Sequence, residues 1–284
     1  MRALDSEVAD TVFEAVVGLI PDRVDDHPLG CHRLRVPDRV CFEGILIRLA
    51  VGCSWEDTER LMNHQVSDTT LRARRDEWID AGVFDALVDE AVTAYDKIIG
   101  LDLSDVAVDG SQHKAPCGGV GTGANSTDRR KLGWKWSICT DRAGIPIGWA
   151  IDGANRHDVI LFEPTLADVE YRGYLAGIDT LHLDRGYDAK RVRSFCDTVG
   201  IGELDCPRRR KPGTPKPDKP DPLGLRWTVE RTNSWLTNFG QLRRNTDRKP
   251  RHRGSQLALA ITIIITAKLI DWRNRWNLNQ TPIR

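Results

Sequence analysis

The chain has 284 residues, 40% hydrophobic and 29% charged, with 41 Lys+Arg against 41 Asp+Glu and a formal net charge of zero. That composition is ordinary for a globular chain of one large or two modest domains and excludes a disordered one. Asp5, Glu7 and Asp10 interrupt any basic-then-apolar leader, and the seven cysteines are scattered without a C-x-x-C pair, so the expectation is a reducing, cytoplasmic (nucleoid-associated) setting with no membrane.

The zero conceals a gradient. Residues 1–104 carry 11 Lys+Arg against 21 Asp+Glu, residues 105–200 carry 12 against 13, and residues 201–284 carry 18 against 7. A basic end of this kind suits a polyanion such as nucleic acid.

The first hundred residues read as helices. Phe42–Val51 is an apolar stretch stopped by Gly52. Ser54 then precedes Asp57 by three, an N-cap with an acidic partner like that of a capping box. A polar turn, Asn63-His64-Gln65, leads to a second N-cap at Ser67 and a helix ending near Gly82. Helix, short turn, helix is the spacing of a helix-turn-helix, with Arg72, Arg74 and Arg75 on its second helix as candidate DNA contacts. The same spacing describes a plain helical hairpin, and the acidity of the region suits a dimerisation bundle equally well.

From Leu103 the pattern changes to strands. Val106-Ala107-Val108 is a short run ending at Asp109-Gly110, and Trp134–Thr140 with Ile145–Ile151 reads as a β-hairpin. A helix is expected from Asp158, a strand over Ile178–Leu183 ending at Asp184, a helix over Ala189–Val199 and a last strand over Ile201–Cys206. This order makes a mixed α/β sheet. Two inserts interrupt it. Pro116–Asp128 is glycine-rich but lacks any nucleotide-loop spacing, and is expected to be a flexible loop. Arg208–Pro222 is a Lys/Pro tract, either a solvated loop or a phosphate-gripping arm whose Arg208, Arg209, Arg210 and Lys211 would contact DNA. Leu257–Ile270 is apolar but falls short of the ~20 residues that span a bilayer, and reads as a buried helix.

Asp109 and Asp184 each end a strand, where α/β sheets bind ligands. Two such carboxylates repel unless cations lie between them, and a pair of hard divalent ions suits phosphodiester chemistry. Glu230 is the candidate third carboxylate, on a helix that also carries Arg226 and Arg231.

Asp109-Gly110-Ser111, the stretch Gly123–Lys131, the turn Asp152–Asp158, the box Leu183–Asp188 and the helix around Glu230 together resemble one family. It is the DDE transposases of bacterial and archaeal insertion sequences, in the branch typified by insertion sequence five. The likeness spans residues 42–275. It implies an RNase H-like mixed sheet flanked by helices, here over residues 101–284, behind an N-terminal helical domain over residues 1–100. It places the catalytic, metal-holding triad on Asp109, Asp184 and Glu230, with two Mg²⁺ or Mn²⁺ ions. The implied activity is hydrolysis at an element's end followed by attack of the freed 3′-hydroxyl on target DNA. Partners would be double-stranded DNA, as terminal inverted repeats and target, and a second copy of the chain. Lys131, Arg185 and Arg231 are candidate phosphate contacts. The wider group often has a tyrosine and a lysine where this chain has Leu223 and Thr237, and Arg243 and Arg244 are candidate substitutes. A nuclease that cuts without joining, and a DNA-binding regulator, are the rival readings.

Overall fold

The computed structural model describes residues 4–22, 35–209 and 224–280; Arg210, Lys211 and Leu223 lie outside them. Its contacts divide the chain into two units: residues 1–98, 238–245 and 251–284 in one, 99–237 and 246–250 in the other. A contiguous second domain over 101–284 is therefore not what forms. The reason lies in the long C-terminal helix α10 (Pro250–Gln280), whose Leu257, Leu259, Ile261, Ile263 and Ile265 are all at most 2% exposed. A helix so apolar needs helices on several sides, and the helical unit supplies them. Its length and composition would let it cross a membrane, but 72% of its most apolar window is buried within the protein, in keeping with a core helix.

The helical unit comprises α1 (Ser6–Leu19), α2 (Asp38–Val51), α3 (Trp55–Leu61), α4 (Asp68–Asp80), α5 (Val83–Ile98), the short α9 (Gly240–Arg243) and α10. The two serine caps form as expected. Ser54 Oγ accepts from Asp57 N at 3.0 Å and donates to its carboxylate at 2.7 Å, while Ser67 Oγ accepts from Thr70 N at 3.2 Å. The arginines of α4, however, are mostly spent inside the unit. Arg74 is 3% exposed, bonded to Asp38 and the Val36 carbonyl. Arg75 is 6% exposed, bonded to Asp76 at 2.9 Å and lying over the Trp55 ring. The expected DNA contact at Arg75 is thus corrected: its guanidinium packs in the core of the unit. Arg72 stays half-exposed, paired with Asp68.

The second unit holds the sheet: β1 (Asp105–Lys114), β2 (Gly123–Ala124), β3 (Leu132–Thr140), β4 (Pro146–Gly153), β5 (Thr180–His182) and β6 (Glu203–Asp205), with α6 (Asp158–Tyr171), α7 (Lys190–Val199) and α8 (Trp227–Thr237). β1 is central. It pairs antiparallel with β3 and parallel with β5; β3 continues to β4 and β5 to β6. This mixed sheet flanked by helices is the RNase H-like arrangement. Alternation sorts the two faces. Val106 and Val108 join the core with Phe162, Leu166 and Val169 of α6, which leaves Ala107 and Asp109 on the opposite face, with Trp136 and α8. The glycine-rich insert is not a bare loop: it contributes β2, and Gly119, at φ 110°, packs where a Cβ would fall 2.1 Å from the Arg248 carbonyl oxygen.

In the helical unit two glycines let backbones meet. Gly52 caps α2 with φ 78°, and a Cβ on Gly240 would fall 2.2 Å from the Val51 carbonyl oxygen. Gly240→Ala should therefore destabilise this unit by about 1–3 kcal/mol. A urea unfolding midpoint equal to that of the native chain would show that α9 can move aside.

Candidate active site

Asp109 does not end its strand. β1 runs on to Lys114 because β3 pairs with it as far as Lys114↔Gly133. The parallel partner β5 stops opposite Ala107, so Asp109 emerges where half of the sheet has ended. Asp184 lies two residues beyond β5, where its carboxylate caps a tight turn by accepting from Gly186 N at 2.6 Å. Glu230 lies exposed in the first turn of α8.

The charges of Asp184 and Glu230, and of a fourth carboxylate, Asp158, reach Asp109. Burial pushes the Asp109 carboxyl up to about 6; a backbone bond from Gly110 opposes this, and the negative charges of Asp184, Asp158 and Glu230 add to it. Tyr187 shows the same crowding. Burial first, then the charges of Asp158, Asp109 and Asp184, hold its phenol well above the ordinary value, so it stays protonated and is no nucleophile.

Asp158 and its partner Lys135 went unread as site residues in the sequence. Asp158 opens α6, on the face where Gly110 lacks a side chain; a Cβ there would fall 2.2 Å from Asp158 Oδ1. Lys135, only 1% exposed, donates to Asp158 and to the Arg156 carbonyl at 3.1 Å. A lysine in a strand otherwise buried was the available signal. Asn233, three residues after Glu230 and therefore on its face of α8, was also missed; it donates to Asp109 Oδ2 at 3.0 Å. Two histidines lie near these residues. His113 is buried and stacked on Trp136 at 3.7 Å, and burial lowers its pKa to about 3, so it is neutral. His157 stands at the N-cap of α6 without a side-chain bond to the helix.

The donor set is all oxygen, the chemistry that hard Mg²⁺ or Mn²⁺ takes, and the mutual repulsion at Asp109 is what a cation would relieve. Three of the carboxylates are meanwhile held by a donor, Asp109 by Asn233, Asp184 by Gly186 and Asp158 by Lys135. Among the described residues no group of three or more His, Cys, Asp or Glu converges as a ready metal cage.

The expected phosphate contacts fare unevenly. Arg231 is turned inward: its guanidinium lies between the Trp227 and Trp235 rings at 4.4 and 4.7 Å and donates to the Ala143 carbonyl. That expectation is corrected, since the aromatic faces and the carbonyl occupy it. Lys131 is exposed beside β3, while Arg185 and Arg226 are half-buried. Arg208 and Arg209 are exposed and gather at Asp188, Arg208 by an ion pair at 3.4 Å and Arg209 through its backbone N at 2.7 Å. Arg243 and Arg244 are exposed at the end of α9, in the helical unit.

A family model described as the transposase DDE domain matches residues 100–266. A putative transposase for insertion sequence element IS402 from Burkholderia cepacia is 35% identical over 149 residues, covering 50% of this chain and 67% of that protein. Two solved structures, the Mos1 transposase paired-end complex with left transposon end and a pre-cleavage Mos1 transpososome, each cover 87% of this chain and 82% of theirs, at 11% and 12% identity. Their TM-score is 0.28, too low to say anything of the fold, which rests on the strand order itself.

The buried ion pair offers a direct check. Asp158→Ala should strand the Lys135 ammonium and destabilise the sheet unit by about 1–3 kcal/mol, with the exposed side of Asp158 letting water soften the loss. Adding Lys135→Met should restore most of it. Equal melting temperatures for the native chain and the single variant would show that Lys135 needs no partner.

Proposed function

Because this chain belongs to the transposase DDE-domain family, we propose that it cuts DNA at the ends of an insertion sequence and joins the freed 3′-hydroxyl to target DNA, using Asp109, Asp184 and Glu230. The reading is supported by the family match together with carboxylates on β1, on the turn after β5 and on α8, whose charges act on Asp109. Nothing but a cation or a proton relieves such crowding, and phosphodiester chemistry in this setting calls for cations.

Asp109, Asp184 and Glu230 would hold the divalent metal. When bound, Mg²⁺ or Mn²⁺ supplies Lewis acidity, favouring a nucleophilic oxygen and offsetting charge on the leaving one. The protein's own part is to hold three carboxylates in place. Tyr187, the tyrosine beside these carboxylates, is kept protonated, and cleavage and joining are read as direct attacks by water and then by the 3′-hydroxyl. Lys131, Arg208 and Arg209 are exposed in the sheet unit and suit the phosphate backbone, with Arg185 and Arg226 as half-buried reserves. Arg72, Arg243 and Arg244 are exposed in the helical unit and suit the same partner, double-stranded DNA. A second copy of the chain would be needed to hold two ends at once.

Asp109→Asn, Asp184→Asn and Glu230→Gln should each leave melting nearly unchanged and reduce cleavage of terminal-repeat DNA by more than the roughly 100-fold that outer-shell changes reach. Mg²⁺ or Mn²⁺ should support cleavage and a strand-transfer product, while Ca²⁺, with its looser geometry, should support binding with little turnover. Full activity in excess chelator would end the metal reading; cleavage without a joined product would make the protein a nuclease.

A second outcome concerns the basic tract. Neutralising Arg208, Arg209, Arg210 and Lys211 together should reduce the slope of log DNA affinity against log salt by up to about three. An unchanged slope would mean that these cations serve Asp188 and solvent alone.

A further inference from the structure

Asn233 is 7% exposed, and its amide is bound at both ends. Its Oδ1 accepts from Trp136 Nε1 at 2.8 Å, and its Nδ2 donates to Asp109 Oδ2 at 3.0 Å. An indole N–H can only donate, so the carbonyl end of this amide must face Trp136 and the amino end must face Asp109. The orientation ambiguity that attends most side-chain amides is removed by that one partner. Trp136 is itself fixed: it is fully buried, with His113 stacked on one side and Trp134 edge-on at 5.2 Å.

We infer that Asn233, its amide locked by Trp136, is the positioning residue that orients the Asp109 carboxylate for metal binding, an inference that rests on the metal-dependent reading above. The Asn233 donor on Oδ2, beside the backbone bond from Gly110, restrains the carboxylate from rotating. Because Asn233 stands one turn beyond Glu230, the same contact links two of the residues that would hold the metal.

Anchoring α8 does not require this bond. Thr232 Oγ1 donates to the Gly144 carbonyl at 2.6 Å, Arg231 donates to that of Ala143, and Thr228, Val229 and Leu236 are all buried. A residue needed only for docking would have no reason to place its second hydrogen bond on Asp109.

The test uses the full chain and reads Mn²⁺ binding by calorimetry without DNA, beside melting temperature and single-turnover cleavage. Asn233→Ala should weaken Mn²⁺ affinity roughly 10- to 100-fold, the usual outer-shell loss, and lower cleavage while melting changes little. Trp136→Phe keeps an aromatic ring but removes the N–H, so the amide is free to turn; affinity should fall by a smaller factor. The double variant should bind no more weakly than Asn233→Ala alone, because both changes act through one amide. Native Mn²⁺ affinity in Asn233→Ala, or losses that multiply in the double variant, would overturn the inference. If Asn233→Ala melts early, Trp136→Phe decides: weakened affinity supports the inference and unchanged affinity overturns it. Asp109→Asn is the control. If it binds Mn²⁺ as well as the native chain does, or if the native chain binds none, the metal reading itself fails and this inference with it.

Discussion

Repulsion among carboxylates around β1 is the constraint to which the sheet unit answers. Asp109, Asp184, Asp158 and Glu230 are close enough that three of them raise the pKa of the fourth. Left in water such groups would spread apart; held by a sheet and two helices they cannot. Three of the four meet distinct donors: an amide for Asp109, a backbone N–H for Asp184, a buried ammonium for Asp158. The donors differ in strength in a way that suits different tasks. The ammonium of Lys135 sets an opposite charge against Asp158, whereas an amide or a backbone N–H brings no charge of its own.

Sheet topology makes this crowding possible. β1 is parallel to β5 on one side and antiparallel to β3 on the other, and the parallel partner ends first. Beyond that point β1 has an open flank, into which the turn after β5 brings Asp184. The alternating pleat then assigns neighbours: Gly110 gives room to Asp158 on the α6 face, and Asp109 meets α8 on the other. A side chain at Gly110 would strike the Asp158 carboxylate, so the glycine beside the aspartate serves packing across the sheet rather than a turn.

The arginines divide along lines that charge counting does not see. Arg74 and Arg75 of α4 and Arg231 of α8 look alike in sequence to Arg72 or Arg208. In the fold the first three are consumed by carboxylates, carbonyls and indole faces within their own units. A count of cations thus overstates what faces a polyanion, while Arg72, Lys131, Arg208, Arg209, Arg243 and Arg244 stay exposed. Packing on tryptophan satisfies a guanidinium well because it is planar and weakly hydrated.

Local rules written in neighbouring residues were legible without a structure. Serine caps at Ser54 and Ser67, the hairpin through Asp141–Gly144, the strand ending before Asp184 and the helix bearing Glu230 all depend on a few consecutive side chains, and they formed. The family resemblance rested on motifs of the same short range. What only the tertiary structure decided was everything set by residues far apart in the chain. It extended β1 past Asp109 through pairing with β3, moved α10 into the helical unit and turned Arg75 and Arg231 inward. It also bound Asn233 to Trp136 and Asp109, residues 97 and 124 positions away. Such contacts have no local signature, because an amide, a lysine or an arginine carries the same side chain in a core as on a surface, and only the partners that the fold delivers determine which it becomes.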